Sequence, residues 1–282
     1  MHLTRLQTWA ILTVTAAIFA FSLLHASWLA DTPAGRPKLL ANGGVALPVD
    51  AAGCIIDAQL GYGSAGVAAD IQMLQSAAGS GAQAVNIPLE PSANPLTTPP
   101  IIARLFKSKC APDNARPRAL LAAAVPALSA AQMYVRVDNA ADVPAVMAAL
   151  PASANAVFYG KANAVAAVQK IRPNAANFAI SRARECTADY KISGWTGRVP
   201  DTCKNGTMLV ALNEVGYTLW GWPNRYLTRM QAAGTRVIIA QNIDGDKITG
   251  LTTVEQYGDI ADSYNGTIWI DDIAALGPSL KR

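Results

Sequence analysis

The sequence predicts an α/β protein, a TIM (β/α)8 barrel preceded by one N-terminal transmembrane helix. Two observations predict the barrel. Short apolar runs alternate with Ala-rich stretches of helical period along most of the chain, and no long all-strand block interrupts them, which argues for a parallel sheet. Eight or so such units in about 240 residues fit a closed barrel, with a doubly wound open sheet as the runner-up. A third observation predicts the helix: from Leu6 to Ala30, 25 positions, no side chain carries a formal charge if His25 is neutral.

At about 1.5 Å per residue that first segment exceeds a hydrocarbon core of roughly 30 Å. The competing reading is a cleaved signal peptide, whose apolar region is usually shorter; a cut after Ala30 would put bulky Trp28 in a small-residue position. Residues 1–30 are therefore expected to be a signal-anchor helix, with Trp9 and Trp28 near the two membrane interfaces. Arg5 on the inner side would place the rest of the chain on the extracytoplasmic (periplasmic) face. Residues 31–37 form a Pro/Gly linker, and 38–282 the barrel.

Within the barrel the expected strands are Lys38–Ala41, Ala84–Leu89, Ile101–Leu105, Met133–Val137, Ala156–Tyr159, Asn177–Ile180, Met208–Leu212, Arg236–Ala240 and Thr267–Ile270. Helical patterns lie between them over Ala69–Ala78, Val143–Leu150, Ala162–Ile171, Ser181–Ile192 and Tyr226–Ala233. The stretch PLEPSANPLTTPP is a Pro-rich loop too close to strands to divide domains.

Composition narrows the function. The hydrophobic fraction is 51%, the charged fraction 15% and the net charge +4, with Lys and Arg scattered. A basic stripe with interleaved aromatics is missing, so nucleic acid is not an expected partner. The chain has two histidines, His2 and His25, both in the anchor segment. Histidine-based nucleophile activation, general acid/base work and metal ligation are thus excluded from the barrel.

Chemistry in such a barrel belongs at the C-terminal strand ends. The acidic groups there read mainly as solvated loop carboxylates: Asp138 and Asp142 after one strand, Asp244 and Asp246 in the turn NIDGDK, and Asp271-Asp272 after the last. Adjacent residues in an extended chain point to opposite faces, so Asp271 and Asp272 do not readily share an ion. The loop GYGSAG lacks the preceding strand of a phosphate-binding loop. In LWGWPNRY the aromatics are read as packing a helix start against the barrel rather than stacking on a ligand.

Cys54, Cys110, Cys186 and Cys203 lack the close spacing of a zinc site. Disulfides are expected in an exported domain; Cys186 with Cys203 would close a loop worth about 3 kcal/mol, leaving Cys54 with Cys110. Four buried free thiols are the alternative.

One resemblance can be stated on specific residues. SRARECTADYKISGWTGRVPDTCKN, then LVALNEVGYTLWGWPNRYLTRMQAAGTRV, then GTIWIDDIAALGP resemble the C-terminal half of bacterial membrane-anchored proteins of the glycerophosphodiester phosphodiesterase family. That resemblance implies a TIM barrel hydrolysing glycerophosphodiesters with Ca or Mg held by carboxylates and with two histidines. In that frame the family's Ala-His-Arg-Gly falls on Ala41-Asn42-Gly43-Gly44. Its Glu-x-Asp metal ligands fall on Asn86 and Pro88, and its second histidine on Arg104, which no protein environment deprotonates into a base.

The resemblance therefore implies a catalytically inactive family member, with no catalytic or metal residues and no cofactor. It would act as an extracytoplasmic binding or scaffold protein for an anionic small molecule or a protein partner. Residues in reach of a ligand would be Asn42, Asn86, Glu90, Arg104, Arg136, Asp138 and Glu214. The alternative is an active, metal-dependent phosphoric diester hydrolase of glycerophospholipid metabolism with a site rebuilt from Asn86, Glu90, Asp138 and Glu214. A third reading is a structural barrel whose pocket is filled and whose mouth binds a partner.

Overall fold

The computed structural model describes residues 5–42, 67–87, 123–216 and 218–280. Among the described residues ten strands are formed: β1 (Lys38–Asn42), β2 (Ala84–Ile87), β3 (Gln132–Val137), β4 (Ala156–Gly160), β5 (Ala176–Ala179), β6 (Thr207–Ala211), β7 (Arg236–Ala240), β8 (Asn242–Asp244), β9 (Lys247–Thr249) and β10 (Thr267–Ile270). Eight of them make one parallel sheet in the order β5-β4-β3-β2-β1-β10-β7-β6. This is a TIM barrel, closed except for the seam between β5 and β6. The expected strand Ile101–Leu105 lies outside the described residues, as do Gly43, Pro88, Glu90, Arg104, Cys54 and Cys110.

The helices are α1 (Arg5–His25), α2 (Val67–Gly79), α3 (Val143–Ala149), α4 (Ala162–Ile171), α5 (Ile180–Ser193), α6 (Asn224–Ala232), α7 (Val254–Gly258) and α8 (Ile273–Leu280). Strand residues alternate between two environments, as a period of two requires. Leu40, Tyr134, Tyr159, Phe178, Leu209, Ile238 and Trp269 form an inner cluster. Their neighbours Leu39, Ala41, Ile268 and Ile270 pack outward under the helices. The interior is filled by aromatic rings: Tyr159 stacks on Phe178 at 5.4 Å and meets Trp269 edge-on at 5.5 Å. Offset and edge contacts of this kind suit the ring quadrupole.

At the seam α5 takes the place of a neighbouring strand. Ile180 and Ala183 join the inner cluster, and the Thr187 hydroxyl donates to the Leu209 carbonyl of β6. The helix therefore supplies both apolar filling and a donor to an edge strand. The helix begins at Ile180, where the sequence pattern extends a strand, because β5 has only Ala176–Ala179 in register with β4.

A disulfide joins Cys186 of α5 to Cys203 with Cα atoms 4.8 Å apart. It ties the seam helix to the segment entering β6. Between β7 and β10 the chain makes the antiparallel hairpin β8–β9. Gly245, at φ +56°, is the first of its two central residues, the position where a two-residue turn of the II′ kind needs glycine. Ile248 of β9 belongs to the inner cluster and Ile243 of β8 packs against it, so the hairpin covers part of the barrel's C-terminal mouth.

α1 has 21 residues, roughly 31 Å at the usual rise, and among the described residues it is the one helix long and apolar enough to cross a membrane. The straight helix stops at His25. Ser27–Leu29 form a 3-10 turn, so Trp28 lies beyond the helix end rather than within it.

Candidate functional site

Five neighbouring strands deliver polar side chains to the C-terminal mouth. Tyr159, the next-to-last residue of β4, donates its hydroxyl to Asn86 Oδ1 of β2 at 2.8 Å. Asn86 Nδ2 donates to Asn42 Oδ1 at the end of β1, 2.7 Å away. Asn42 Nδ2 donates in turn to Asp271 Oδ1, just past β10, at 2.8 Å. Each amide accepts through oxygen and donates through nitrogen, so the chain has one direction and a carboxylate at its end.

Local backbone pairing sets this geometry. β1 and β2 are paired in parallel with Asn42 opposite Asn86, which holds the two amides side by side. Asp271 is held by Leu251, whose carbonyl accepts from the Asp271 backbone N–H at 2.9 Å. Asp272 faces elsewhere: its carboxylate accepts from Ala275 N at 3.0 Å in the first turn of α8. The two adjacent carboxylates thus serve opposite sides.

On β3, Arg136 Nε donates to Asp138 Oδ2 at 2.6 Å. The Asp138 side chain is only 8% exposed, and its other oxygen, Oδ1, has no hydrogen-bond partner among the described residues. Trp269 Nε1, inside the barrel, is likewise buried and unpartnered. Asp246, on the hairpin over the mouth, interacts electrostatically with Arg136, and Lys247 with Asp271.

These surroundings shift the titrating groups. Burial pushes the Tyr159 phenol well above its ordinary range, with Arg136 pulling part of the way back. Burial also raises the Asp271 carboxyl above the usual value of 3.8, against the opposing hydrogen bond from Asn42, the Gly250 backbone N–H and the Lys247 charge. Desolvation disfavours the charged form in both cases.

The structure brings Asn42 and Asn86 into one hydrogen-bonded unit and places Arg136 and Asp138 on the adjacent strand. Arg136 faces a carboxylate and is not a free anion site. Glu214 does not join the chain: it pairs with Lys191 on the wall of an open cleft of about 640 Å³. Among the described residues no group of three or more His, Cys, Asp or Glu side chains could hold a metal. Sequence reading missed Tyr159 and the role of Asp271. Tyr159 was legible in principle as the last inward-facing residue of its strand; the Asp271 partnership depends on β1 and β10 being neighbours, which residues 229 apart do not announce.

Comparison with known proteins finds no matching family model and no matching curated protein. Among solved structures, the fold is similar to Xanthomonas albilineans dihydropteroate synthase with 4-aminobenzoic acid, at 13% identity and TM-score 0.44, over 86% of this chain and 90% of that one. The same enzyme in complex with 7,8-dihydropteroate gives 13% identity and TM-score 0.42 with the same coverage. A likeness of this size carries no conclusion about the chemistry of this chain.

These neighbours are not glycerophosphodiester phosphodiesterases, and no family model or curated relative supports that assignment. The family resemblance is therefore withdrawn. With it go the inactive phosphodiesterase, the active diester hydrolase and the place in lipid metabolism. There is a physical reason why the motifs misled. WGWPNR packs outside the polar chain of the mouth: the Trp220 ring lies 5.3 Å from His25 of α1, and Trp222 lies 5.5 Å from Tyr226 and 5.9 Å from Tyr264; in GWTG it is the Trp195 carbonyl that meets His25, and its ring is half exposed.

Proposed function

We propose that this chain is a membrane-tethered barrel whose C-terminal mouth binds a small neutral molecule carrying N–H or O–H donors beside an acceptor. The observation that carries this reading is the Tyr159–Asn86–Asn42–Asp271 chain. Buried polar groups are costly unless fully partnered, and apolar packing of the same volume is the more stable solution. A polar chain across several strand ends, at the end of the barrel where ligands bind, is best explained by recognition.

The charge pattern favours a neutral ligand. Arg136 and Asp138 compensate each other, and Asp271 faces Lys247. The tether is α1, and an Arg5 on the inner side together with a disulfide in the barrel fits an extracytoplasmic location.

The test is thermal denaturation of the full chain in lipid nanodiscs against neutral amides, heterocyclic bases and polyols, with inorganic phosphate and simple carboxylates as the contrasting class. A ligand at a hundred times its Kd stabilises by about 2.7 kcal/mol. The expected result is a stabilising shift from a neutral donor-bearing compound that is lost in Asn42→Ala, which interrupts the polar chain at its half-buried member. Shifts from anions alone, or no shift from any neutral class, would sink the reading.

A further inference from the structure

The end of α1 is built into the barrel rather than joined to it by a loose leash. Arg225 Nη2 donates to the Leu23 carbonyl at 3.1 Å, and Arg229 Nη2 to the Leu24 carbonyl at 2.5 Å. Both arginines belong to α6, and the carbonyls they reach are among those a helix C-terminus leaves without partners. The positive charges also complement the negative end of the helix dipole. The backbone N–H of Asn224 donates to Ser27 Oγ at 2.9 Å, His25 Nε2 lies 2.8 Å from the Trp195 carbonyl, and Ala26 is buried.

Around this junction large apolar side chains face outward. Trp28 is 81% exposed, Leu29 51%, Ile192 74% and Trp195 52%. The first pair follows α1 directly; the second flanks the turn that touches His25. Arg198, also exposed, lies three residues beyond Trp195. Tryptophan with a neighbouring cation is the composition that settles at the headgroup layer of a bilayer.

We infer that Trp28, Leu29, Ile192 and Trp195 form a seating surface that enters the interfacial layer of the same bilayer α1 crosses, fixing the barrel's orientation on the membrane. This rests on the reading that α1 spans the bilayer. Continuity with the helix end is what selects lipid over other occupants: the chain leaves the membrane within hydrogen-bonding distance of Trp195, so a surface there meets headgroups before it meets anything else. The capped helix end makes the contact geometry reproducible instead of leaving it to a swivelling linker.

The experiment is tryptophan fluorescence of the full chain in phosphatidylcholine–phosphatidylglycerol vesicles, quenched in turn by nitroxide-labelled lipids and by aqueous iodide. The signal of each residue is taken as wild type minus Trp9→Phe, Trp28→Phe or Trp195→Phe. Trp9 lies within α1 and reports the tether alone. The expected result is that lipid labels remove most of the Trp9, Trp28 and Trp195 signals while iodide removes little. Lipid quenching of Trp9 but not of Trp195 would overturn the seating surface and leave the tether standing. No lipid quenching of Trp9 would overturn the tether and the inference with it. A Trp195 shielded from both quenchers would mean a second protein copy covers the surface, and would overturn the proposal as well.

Discussion

Asn42 and Asn86 are the two middle members of the polar chain, each bonded on both sides. Asn86 is buried, and replacing Asn86 by Leu would leave the Tyr159 hydroxyl and Asn42 Oδ1 unpartnered. Unmet buried polar groups cost about 1–3 kcal/mol each, so Asn86→Leu is expected to lower the denaturation midpoint by a few kcal/mol of stability, measured by urea unfolding. Asp271 gives a prediction with a sign. Its folded-state pKa is raised above 3.8, so the folded protein holds this proton more tightly than the unfolded chain. Its contribution is fully present below the ordinary Asp value and is lost as pH rises through the raised one. Asp271→Asn keeps the oxygen that accepts from Asn42 and is expected to raise Tm at neutral pH while flattening the fall in stability above pH 3.8. An unchanged pH profile would show that Asp271 is not desolvated. Gly160, which ends β4, has φ +143°, and a Cβ there would sit 2.0 Å from the Val137 carbonyl oxygen. Gly160→Ala is expected to cost more than the roughly 1–3 kcal/mol of an ordinary overpacked site, since backbone rather than a side chain must move.

Among the secondary-structure elements, α5 does the unusual work. A helix cannot pair with a strand through a ladder, so the seam depends on side chains. Thr187→Val keeps the shape and removes the donor to the Leu209 carbonyl; the expected loss is about 1–3 kcal/mol, read as a lower unfolding midpoint. The disulfide adds a second constraint. With the half-cystines 17 positions apart in sequence, the chain-entropy model gives about 3 kcal/mol, and Cys186→Ala with Cys203→Ala is expected to lose about that much. Equal midpoints for oxidised and reduced protein would remove the disulfide from the account of the seam.

For the whole molecule, the coupling of α1 to the barrel is the feature that organises the rest. Arg225→Ala with Arg229→Ala removes both donors to the helix end and leaves the barrel core untouched. Limited proteolysis of the variant in vesicles is expected to cut between Ala26 and Lys38 faster than wild type, with the barrel fragment surviving intact. Equal cutting rates would mean that Ser27, Ala26 and the aromatic contacts suffice to hold the junction.

The barrel and the long apolar N-terminal helix were legible in the sequence, the one as periodicities and the other as an uncharged run. β7 and β10 fall where the apolar runs place them, at Arg236–Ala240 and Thr267–Ile270, and α4 spans Ala162–Ile171 as its pattern requires. Strand ends were less legible, since apolar runs such as Ala84–Leu89 continue past the last paired residue, Ile87. The packing motifs around Trp220 and Trp222 were conspicuous and suggested a family that the comparisons do not support. The mouth was decided by tertiary structure alone. Asn42 and Asn86 stood out in sequence as strand-end residues, Asp271 as one of a solvated pair and Tyr159 not at all; they become one unit only when closure sets β1 between β2 and β10. Periodicity reports which face a residue takes within its own element; partners from distant strands are fixed by the register of the closed sheet.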